Sequence, residues 1–199
     1  MHHNALVALM PDTVAAGSLV LRRWSAADLP ATMKAIELSI DDLQRWMPWA
    51  TNGVPSIEAE RAVFAAGTVD FDRDIDWGYS IVETPTDEIV GGCGVHPRNG
   101  HICLEIGYWV RSDRHARGYA TTAVRHLIDA CFQHVAAAER VEIRMDVANV
   151  ASARIPLKLG FALLREEERE PLTSGHTGHG LVWSVARSQW HRHRETAHT

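Results

Sequence analysis

The sequence predicts a mixed α/β fold of the α+β kind in one domain, and three observations carry that prediction. The chain has 199 residues, of which 46% are hydrophobic and 23% are charged, as is typical of a globular domain that needs no disulfide or metal to fold. Segments with the period of a strand alternate along the chain with segments of helical period. Three strand-type segments in the middle are separated only by turn signals.

The first part of the chain is predicted to be one strand followed by helices. Residues 18–24 (SLVLRRW) form the strand. A helix begins at Ser25, where Ser25-x-x-Asp28 resembles a capping box, or at Asp28, which Pro30 suits equally well. Its apolar face has a spacing of three or four residues and consists of Leu29, Met33, Ile36 and Ile40. Two further helices begin at Ser39 and Ser56; Trp46-Met-Pro-Trp49 ends the first, and the second runs towards Val69.

The middle of the chain has the character of a β-meander. Residues 76–83 alternate Trp77, Tyr79 and Ile81 on one face. Residues 88–96 follow after a turn at 84–87, and residues 101–110 follow after the Pro-Arg-Asn-Gly turn at 97–100. This segment therefore predicts three consecutive strands.

The last part of the chain returns to alternating elements. A helix carries its apolar residues at Ala120, Ala123, Val124, Leu127, Ile128 and Cys131. Residues 141–147 read as a strand, residues 149–159 as a short helix ended by Gly160, and residues 161–170 and 181–187 as two strands. The predicted domain spans residues 18–190, because residues 1–17 show no clean period and residues 191–199 form a short polar tail.

Composition and charge exclude several classes of function. The formal net charge of −5 disfavours a polyanion as the main partner, so no direct nucleic-acid binding is expected. No stretch approaches the roughly 18 uninterrupted apolar residues of a membrane span, and the N-terminus lacks the order of a secretory signal. Cys93, Cys103 and Cys131 form no CxxC pair and are expected to be core residues in a reducing compartment. The sequence therefore predicts a cytoplasmic protein with no membrane partner.

The most informative segment is residues 110–120, where a strand leads through a glycine-containing turn into the most regular helix. Unpaired backbone N–H groups and the positive end of the helix dipole meet at such a point and favour an anion. Gly118 lets the backbone approach a phosphate closely, and Arg114 and Arg117 add positive charge. A tight turn with a solvated Arg pair is the alternative, since neither GxxxxGK(S/T) nor GxGxxG is present.

Several motifs, matching in order and spacing, resemble those of GNAT acetyltransferases, in particular the RimJ/RimL-type branch. His115-Ala-Arg-Gly-Tyr-Ala120 followed by Thr-Thr-Ala is similar to the (Q/R)xxGx(G/A) motif that binds the pyrophosphate of acetyl-CoA. The other matching segments are Glu105-Ile-Gly-Tyr-Trp-Val110, Asn149-Val-Ala-Ser152 with Lys158-Leu-Gly-Phe161, Trp46-Met-Pro-Trp49 and Leu19-Val-Leu-Arg-Arg23. The resemblance covers residues 18–187. His115 departs from the usual Gln or Arg, and Pro156 is expected to remove one helix hydrogen bond and bend the helix near Ser152.

The resemblance implies a GNAT fold, in which a central, mixed and mostly antiparallel sheet of six to seven strands splays apart at the acetyl-CoA site and is flanked by helices. It implies acetyl-CoA as cofactor and CoA as product. A main-chain N–H near Trp109 or Val110 would orient the acetyl carbonyl and the pantetheine arm. The residues assigned to the cofactor are Tyr108, Trp109, Val110, Arg111, Arg114, His115, Ala116, Arg117, Gly118, Tyr119, Ala120, Thr121, Asn149, Ser152 and Lys158.

Acetyl transfer to an amine requires a neutral amine and a proton for the departing thiolate. The resemblance assigns the base to Glu105, for which the alternative is a strand residue that pairs with Arg or faces solvent. Since no Tyr lies between Asn149 and Gly160, Ser152 is the candidate proton donor, and a helix-cap serine is its alternative. Direct attack in a ternary complex needs no covalent intermediate, so no nucleophilic cysteine is expected.

The acceptor is predicted to be a primary amine, with a protein N-terminus such as that of a ribosomal protein preferred to a small amine such as an antibiotic or polyamine. Trp46, Trp49 and Trp77 are candidates to line its groove, although a Trp stripe is more often core. A catalytically silent acyl-CoA-binding module is the alternative from another class, and a homodimer is one of the oligomeric states left open. No metal is expected, because His176-x-x-His179 and His191-x-His193 lack convergent carboxylates or cysteines.

Overall fold

Eight strands pair into one sheet in the computed structural model, which describes residues 9–196. In chain order they are β1 (Thr13–Ala16), β2 (Leu19–Arg23), β3 (Trp77–Glu83), β4 (Glu88–Arg98), β5 (Cys103–Val110), β6 (Arg140–Asp146), β7 (Ala162–Glu168) and β8 (His179–Ala186). Across the sheet the order is β1-β2-β3-β4-β5-β6-β8-β7. Every neighbouring pair is antiparallel except β5 and β6, which run parallel.

Helices cover both faces of this sheet. They are α1 (Leu29–Glu37), α2 (Ile40–Trp46), α3 (Ile57–Asp72), α4 (Tyr119–His134), α5 (Val150–Lys158) and α6 (Arg187–Thr196). Helix α4 packs in one buried cluster with Leu21 and Ile81, whereas Ala35 of α1 packs with Val82. Because successive residues of a strand point to opposite faces, Ile81 and Val82 place α4 and α1 on opposite sides of the sheet.

The predicted core positions of α4 are confirmed. Five of its six predicted apolar residues are buried against the sheet: Ala123, Val124, Leu127, Ile128 and Cys131. Ala120, the sixth, lies in the first turn and is half-buried. The α4 helix is therefore held by its apolar stripe, which leaves its N-terminal turn at the surface beside the end of β5.

Sequence signals correctly predicted where two of the helical segments begin. Ser25 accepts a hydrogen bond from the backbone of Ala27 and caps a short 3-10 turn, after which α1 begins with Pro30 in its first turn. The Ser25 signal therefore marks the start of the 3-10 turn, and the Pro30 signal marks the start of α1. Ser56 accepts a hydrogen bond from Ala59 N–H at the start of α3.

The sheet is larger than the predicted six to seven strands. β1 lies inside the segment assigned to an N-terminal extension, and it pairs with β2 from Thr13 to Ala16 while Met10 is buried beside it. Four residues are too few to show a period, which is why the sequence did not reveal this strand. At the other end, α6 extends through the predicted polar tail to Thr196, anchored by Trp190, whose indole N–H donates to Asp129 Oδ1 at 2.8 Å. Within residues 9–196 no helix is both long and apolar enough to cross a bilayer.

Candidate active site

A gap opens in the sheet where β5 and β6 separate. The two strands pair only between Cys103–Glu105 and Arg140–Glu142. Beyond that point β5 continues to Val110 paired with β4, and β6 continues to Asp146 paired with β8. Residues 106–110 and 143–146 therefore have no strand partner on the side of the gap, which is the splayed sheet that the resemblance implies.

The main chain of β5 offers hydrogen-bonding groups to this gap at alternate residues. Arg111 N–H donates to Val90 O on β4, so alternation turns the main chain of Val110, Tyr108 and Ile106 towards the gap. His115 Nε2 lies 2.9 Å from Val110 O, in agreement with that direction. Of the two residues predicted to offer a main-chain N–H, Val110 faces the gap and Trp109 faces β4.

The turn before α4 presents a cluster of backbone donors. Gly118 is the N-cap of α4 with φ of 81°, and Ala116 has φ of 60°, both in the left-handed region. None of the backbone N–H groups of residues 116–121 donates a hydrogen bond within the described part of the chain. With the positive end of a 16-residue helix behind them, these N–H groups have the arrangement that favours an anion.

The arginines around this turn are held by carboxylates of the protein. Arg114 donates to Glu88 at 2.6 Å, and Arg111 forms two hydrogen bonds with Asp113, at 2.7 and 2.9 Å. Arg117 lies exposed at the turn. The hydroxyl of Tyr119 donates to Glu83, and this bond is the main reason that the pKa of the Glu83 carboxyl is lowered. At this turn the backbone N–H groups are therefore free, while most of the side-chain charge is already neutralised.

A cleft of about 360 Å³ lies beside the gap. Its floor is made by β5 and β6, and its opposite wall by the end of α2 and the loop between β7 and β8. The polar residues among its lining are His96, Glu105, Tyr108, Arg144, Asp146, Asn149, Ser152, Arg169, Glu170 and His176. Both residues that the sequence predicted to be catalytic, Glu105 and Ser152, thus face one cavity.

Glu105 is held between two arginines. Its Oε2 accepts a hydrogen bond from Arg98 Nε at 3.1 Å and lies 3.2 Å from Arg144 Nε. Arg144 also pairs with the buried Glu142 at 3.0 Å. This is the arrangement expected if Glu105 is a strand residue paired with Arg.

His96, which lines the same cleft, forms a pair with Asp76 that the sequence analysis missed. His96 Nδ1 lies 2.5 Å from Asp76 Oδ2, and the two side chains are about one-third exposed, at 34% and 37%. The residues are 20 positions apart and meet because β3 and β4 pair with Trp77 opposite Val95. The sequence did contain a signal for this pair, because Asp76 is the first residue of one predicted strand and His96 is the last residue of the next strand in the same hairpin.

Ser152 pairs with a tyrosine from across the cleft. Its hydroxyl lies 2.9 Å from Tyr108 Oη, where either oxygen can donate, and Tyr108 also donates to the Ser152 carbonyl at 3.3 Å. That carbonyl has no helical partner, because Pro156 carries no N–H. Burial raises the pKa of Tyr108 to about 12, so its hydroxyl stays protonated. Tyr108, predicted as a cofactor contact, therefore brings a protonated tyrosine hydroxyl to Ser152.

Asn149 caps α5. Its Oδ1 accepts a hydrogen bond from Ser152 N–H at 3.1 Å, which removes the cap role from the Ser152 side chain. The predicted cofactor contact of Asn149 stays a prediction for its remaining amide group. Lys158 lies exposed at the far end of α5, six residues or about 9 Å along the axis from Ser152, and its cofactor role likewise stays a prediction.

Two of the three predicted groove tryptophans lie near the cleft. Trp46 lines it, and Trp49 packs on Trp109 with ring centroids 6.4 Å apart. Trp77 is completely buried in the main core, where its indole N–H donates to Asp74 Oδ1 at 3.2 Å. The interpretation of Trp77 as a groove residue is therefore wrong, because the neighbouring core covers its face of β3.

The wall of the cleft is fastened at both ends. Arg45 O at the end of α2 accepts hydrogen bonds from Thr173 Oγ1 at 2.7 Å and Gly175 N–H at 3.2 Å. Asp146 accepts hydrogen bonds from Thr177 N–H at 2.8 Å and Ala148 N–H at 2.9 Å. Although burial raises the pKa of Asp146, these backbone hydrogen bonds outweigh it and hold that pKa below its ordinary value. The β7–β8 loop is thus tied to α2 and to β6.

The three cysteines are buried, and the described residues contain no group of metal ligands. Cys93, Cys103 and Cys131 are buried free thiols, and burial raises the pKa of each, that of Cys103 to about 11. Within residues 9–196, no three His, Cys, Asp or Glu side chains are grouped so that they could hold a metal ion.

Comparisons with known proteins agree with this geometry. The acetyltransferase (GNAT) domain family matches residues 18–162. The uncharacterized N-acetyltransferase p20 of Bacillus licheniformis is 33% identical over 97 residues, which are 46% of this chain and 53% of that protein. The chain thus spans about half the length of this curated relative.

Two solved structures share the fold at low sequence identity. RimL, the ribosomal L7/L12 alpha-N-protein acetyltransferase, in complex with coenzyme A, has a TM-score of 0.79 and 18% identity over 87% of this chain and 97% of its own. The microcin C7 self-immunity acetyltransferase MccE, in complex with acetyl-CoA and AMP, also has a TM-score of 0.79 and 18% identity, over 90% of this chain and 98% of its own.

Proposed function

The chain belongs to the GNAT acetyltransferase domain family, and we propose that it transfers the acetyl group of acetyl-CoA to a primary amine by direct attack within a ternary complex. The observation that carries this proposal is the position of the free N–H cluster at residues 116–121 beside the open edge of β5. The cluster suits the pyrophosphate, and the open edge suits the pantetheine arm and the acetyl carbonyl. RimL and MccE, whose structures contain coenzyme A or acetyl-CoA, support this choice of cofactor.

The cofactor site is tested by adding one methyl group to its turn. Gly118 has φ of 81° and open space where a Cβ would be, so Gly118→Ala places a methyl group where the pyrophosphate is proposed to approach. Gly53 is a matched control, because it has φ of 94° and equally open space. Calorimetry should show at least a tenfold loss of acetyl-CoA affinity for Gly118→Ala and parent affinity for Gly53→Ala. Unchanged affinity in Gly118→Ala would contradict the proposed cradle.

The departing thiolate is proposed to receive its proton from Ser152, in the pair that it forms with Tyr108. A hydroxyl hydrogen-bonded to a second hydroxyl can donate to sulfur while its neighbour restores the proton. The base role predicted for Glu105 stays a prediction, and its two arginine partners weaken the case for it. No covalent intermediate is required, in keeping with the buried thiols.

The acceptor is proposed to be a protein N-terminal amine, for which the structural similarity to RimL is the support. A small-molecule amine is the second candidate, since MccE, a self-immunity enzyme, shares the fold equally well. Incubation with acetyl-CoA and either N-terminal peptides of ribosomal proteins or small amines, followed by assay of released thiol, separates the two. Acetyl-CoA binding without turnover on any amine would favour a silent binding module. A cytoplasmic location and a homodimer stay predictions.

A further inference from the structure

We propose that His96, oriented by Asp76, is the base that removes the proton from the acceptor ammonium; the assignment rests on the acetyltransferase function proposed above. His96 is the residue of β4 that lies opposite Glu105 of β5 in the sheet register. It lines the cleft that Glu105 and Ser152 also face. Neither His96 nor Asp76 was predicted from the sequence to be catalytic.

The surroundings of His96 direct its ring towards the gap. A Cβ on Gly107 of β5 would lie 3.4 Å from His96 Nε2, and a Cβ on Gly94 of β4 would lie 3.3 Å from its Cε1. The imidazole therefore occupies the space that these two glycines leave open above the sheet. Gly107 belongs to the part of β5 that has already separated from β6, so Nε2 lies beside the gap. Asp76 contacts the other ring nitrogen, Nδ1, at 2.5 Å.

This contact gives His96 the chemistry of a base. A carboxylate that accepts a hydrogen bond from Nδ1–H fixes the neutral tautomer whose Nε2 lone pair is free, and it stabilises the imidazolium that forms. The acceptor R–NH₃⁺ passes one proton to Nε2 and becomes R–NH₂. Its nitrogen then bonds to the acetyl carbon, the C–S bond breaks, and the thiolate takes a proton at the Ser152 hydroxyl. The new amide nitrogen then loses one proton, and His96 loses the proton that it took up. One of these two protons restores the Ser152 hydroxyl and the other passes to solvent, so that one H⁺ is produced overall.

Other charged groups face the same space and do not replace this pair. Those that line the cleft are Glu105 on β5, Arg144 and Asp146 on β6, and Arg169, Glu170 and His176 from the loop before β8. Asp76 before β3 and Arg98 on β4 contact His96 and Glu105 from outside that lining. Glu105 is occupied by Arg98 and Arg144. Of the residues that line the cleft next to Glu105, His96 is the one whose ring is held by a carboxylate while its second nitrogen lies over a glycine.

The test compares His96→Gln, Glu105→Gln and the control His101→Gln. His101 follows β4 in the turn to β5, packs on Trp77 with the two rings tilted by 40°, and does not line the cleft. Turnover is measured from pH 6 to pH 10 by thiol release with an N-terminal peptide amine, and acetyl-CoA affinity is measured by calorimetry. His96→Gln should lose at least about 10²-fold in kcat at pH 7, keep its acetyl-CoA affinity and recover in part at high pH, where the amine is already neutral. His101→Gln should match the parent.

The positioning role of Asp76 has its own readout. ¹⁵N NMR of the neutral His96 ring should show the proton on Nδ1 in the parent and a mixture of tautomers in Asp76→Asn, with kcat reduced about tenfold. A proton on Nε2 in the parent, or parent-like kcat in His96→Gln at every pH, would overturn the assignment. A pH-dependent loss of kcat in Glu105→Gln alone would also overturn the assignment of His96, and it would leave the proposed function intact. A parent protein that binds acetyl-CoA but acetylates no amine would instead overturn the proposed function, and the base assignment with it.

Discussion

Removing the hydroxyl of Ser152 tests the proton donor, and the structure gives its expected magnitude. In Ser152→Ala the backbone N–H keeps its bond to Asn149 Oδ1, so the cap of α5 survives. The stability loss is then one neutral hydrogen bond, that to Tyr108 Oη, worth about 1 kcal/mol or roughly 2–4 °C in Tm. A hydrogen bond to the developing thiolate is worth about 1.5–3 kcal/mol, so kcat should fall roughly 10- to 150-fold.

A second variant separates a relay from two independent groups. Tyr108→Phe removes the partner of the Ser152 hydroxyl and the donor to the carbonyl that Pro156 leaves free. If Ser152 donates and Tyr108 resupplies the proton, the double variant should lose about as much kcat as Ser152→Ala alone, because the groups act as a unit. If each hydroxyl acts separately, the two losses multiply.

The assays are thiol release for kcat, calorimetry for acetyl-CoA affinity and thermal unfolding for stability. The donor role requires a lower kcat with unchanged acetyl-CoA affinity and a Tm within a few degrees of the parent. A lower Tm with parent kcat would refute it and show that Ser152 only supports the start of α5. A loss of acetyl-CoA affinity equal to the loss of turnover would assign Ser152 to cofactor binding instead.

Two further predictions concern the wall of the cleft. Because hydrogen bonds hold the pKa of Asp146 below its ordinary value, its stabilising effect is present above about pH 4 and is lost as pH falls through the lowered pKa. Asp146→Asn should therefore lose less unfolding free energy than the parent between pH 5 and pH 3 in denaturant titrations, and equal losses would contradict this. In Gly175→Ala the new Cβ would lie 2.4 Å from Arg45 O, so the β7–β8 loop must move from α2. The KM for the acceptor should rise several-fold with acetyl-CoA affinity unchanged; a parent KM would show that this contact does not shape the acceptor site.

The sequence by itself determined the elements and motifs that depend on neighbouring residues. The apolar stripe of α4, the caps at Ser25 and Ser56, and the strand-turn-helix at Gly118 all follow from spacings of a few residues, and the structure contains each of them. The order of the motifs also indicated the family and the splayed sheet. Local rules suffice here because backbone geometry and helix capping are settled within one or two turns.

Only the tertiary structure decided which side chains meet. Tyr108 and Ser152 are 44 positions apart, and Asp76 and His96 are 20 apart, so their contacts depend on strand register, where a slip of one residue would turn every side chain to the other face. Burial is decided in the same way. The period of β3 placed Trp77 on one face of a strand, but only the packing of the neighbouring core against that face made it a core residue instead of a groove residue.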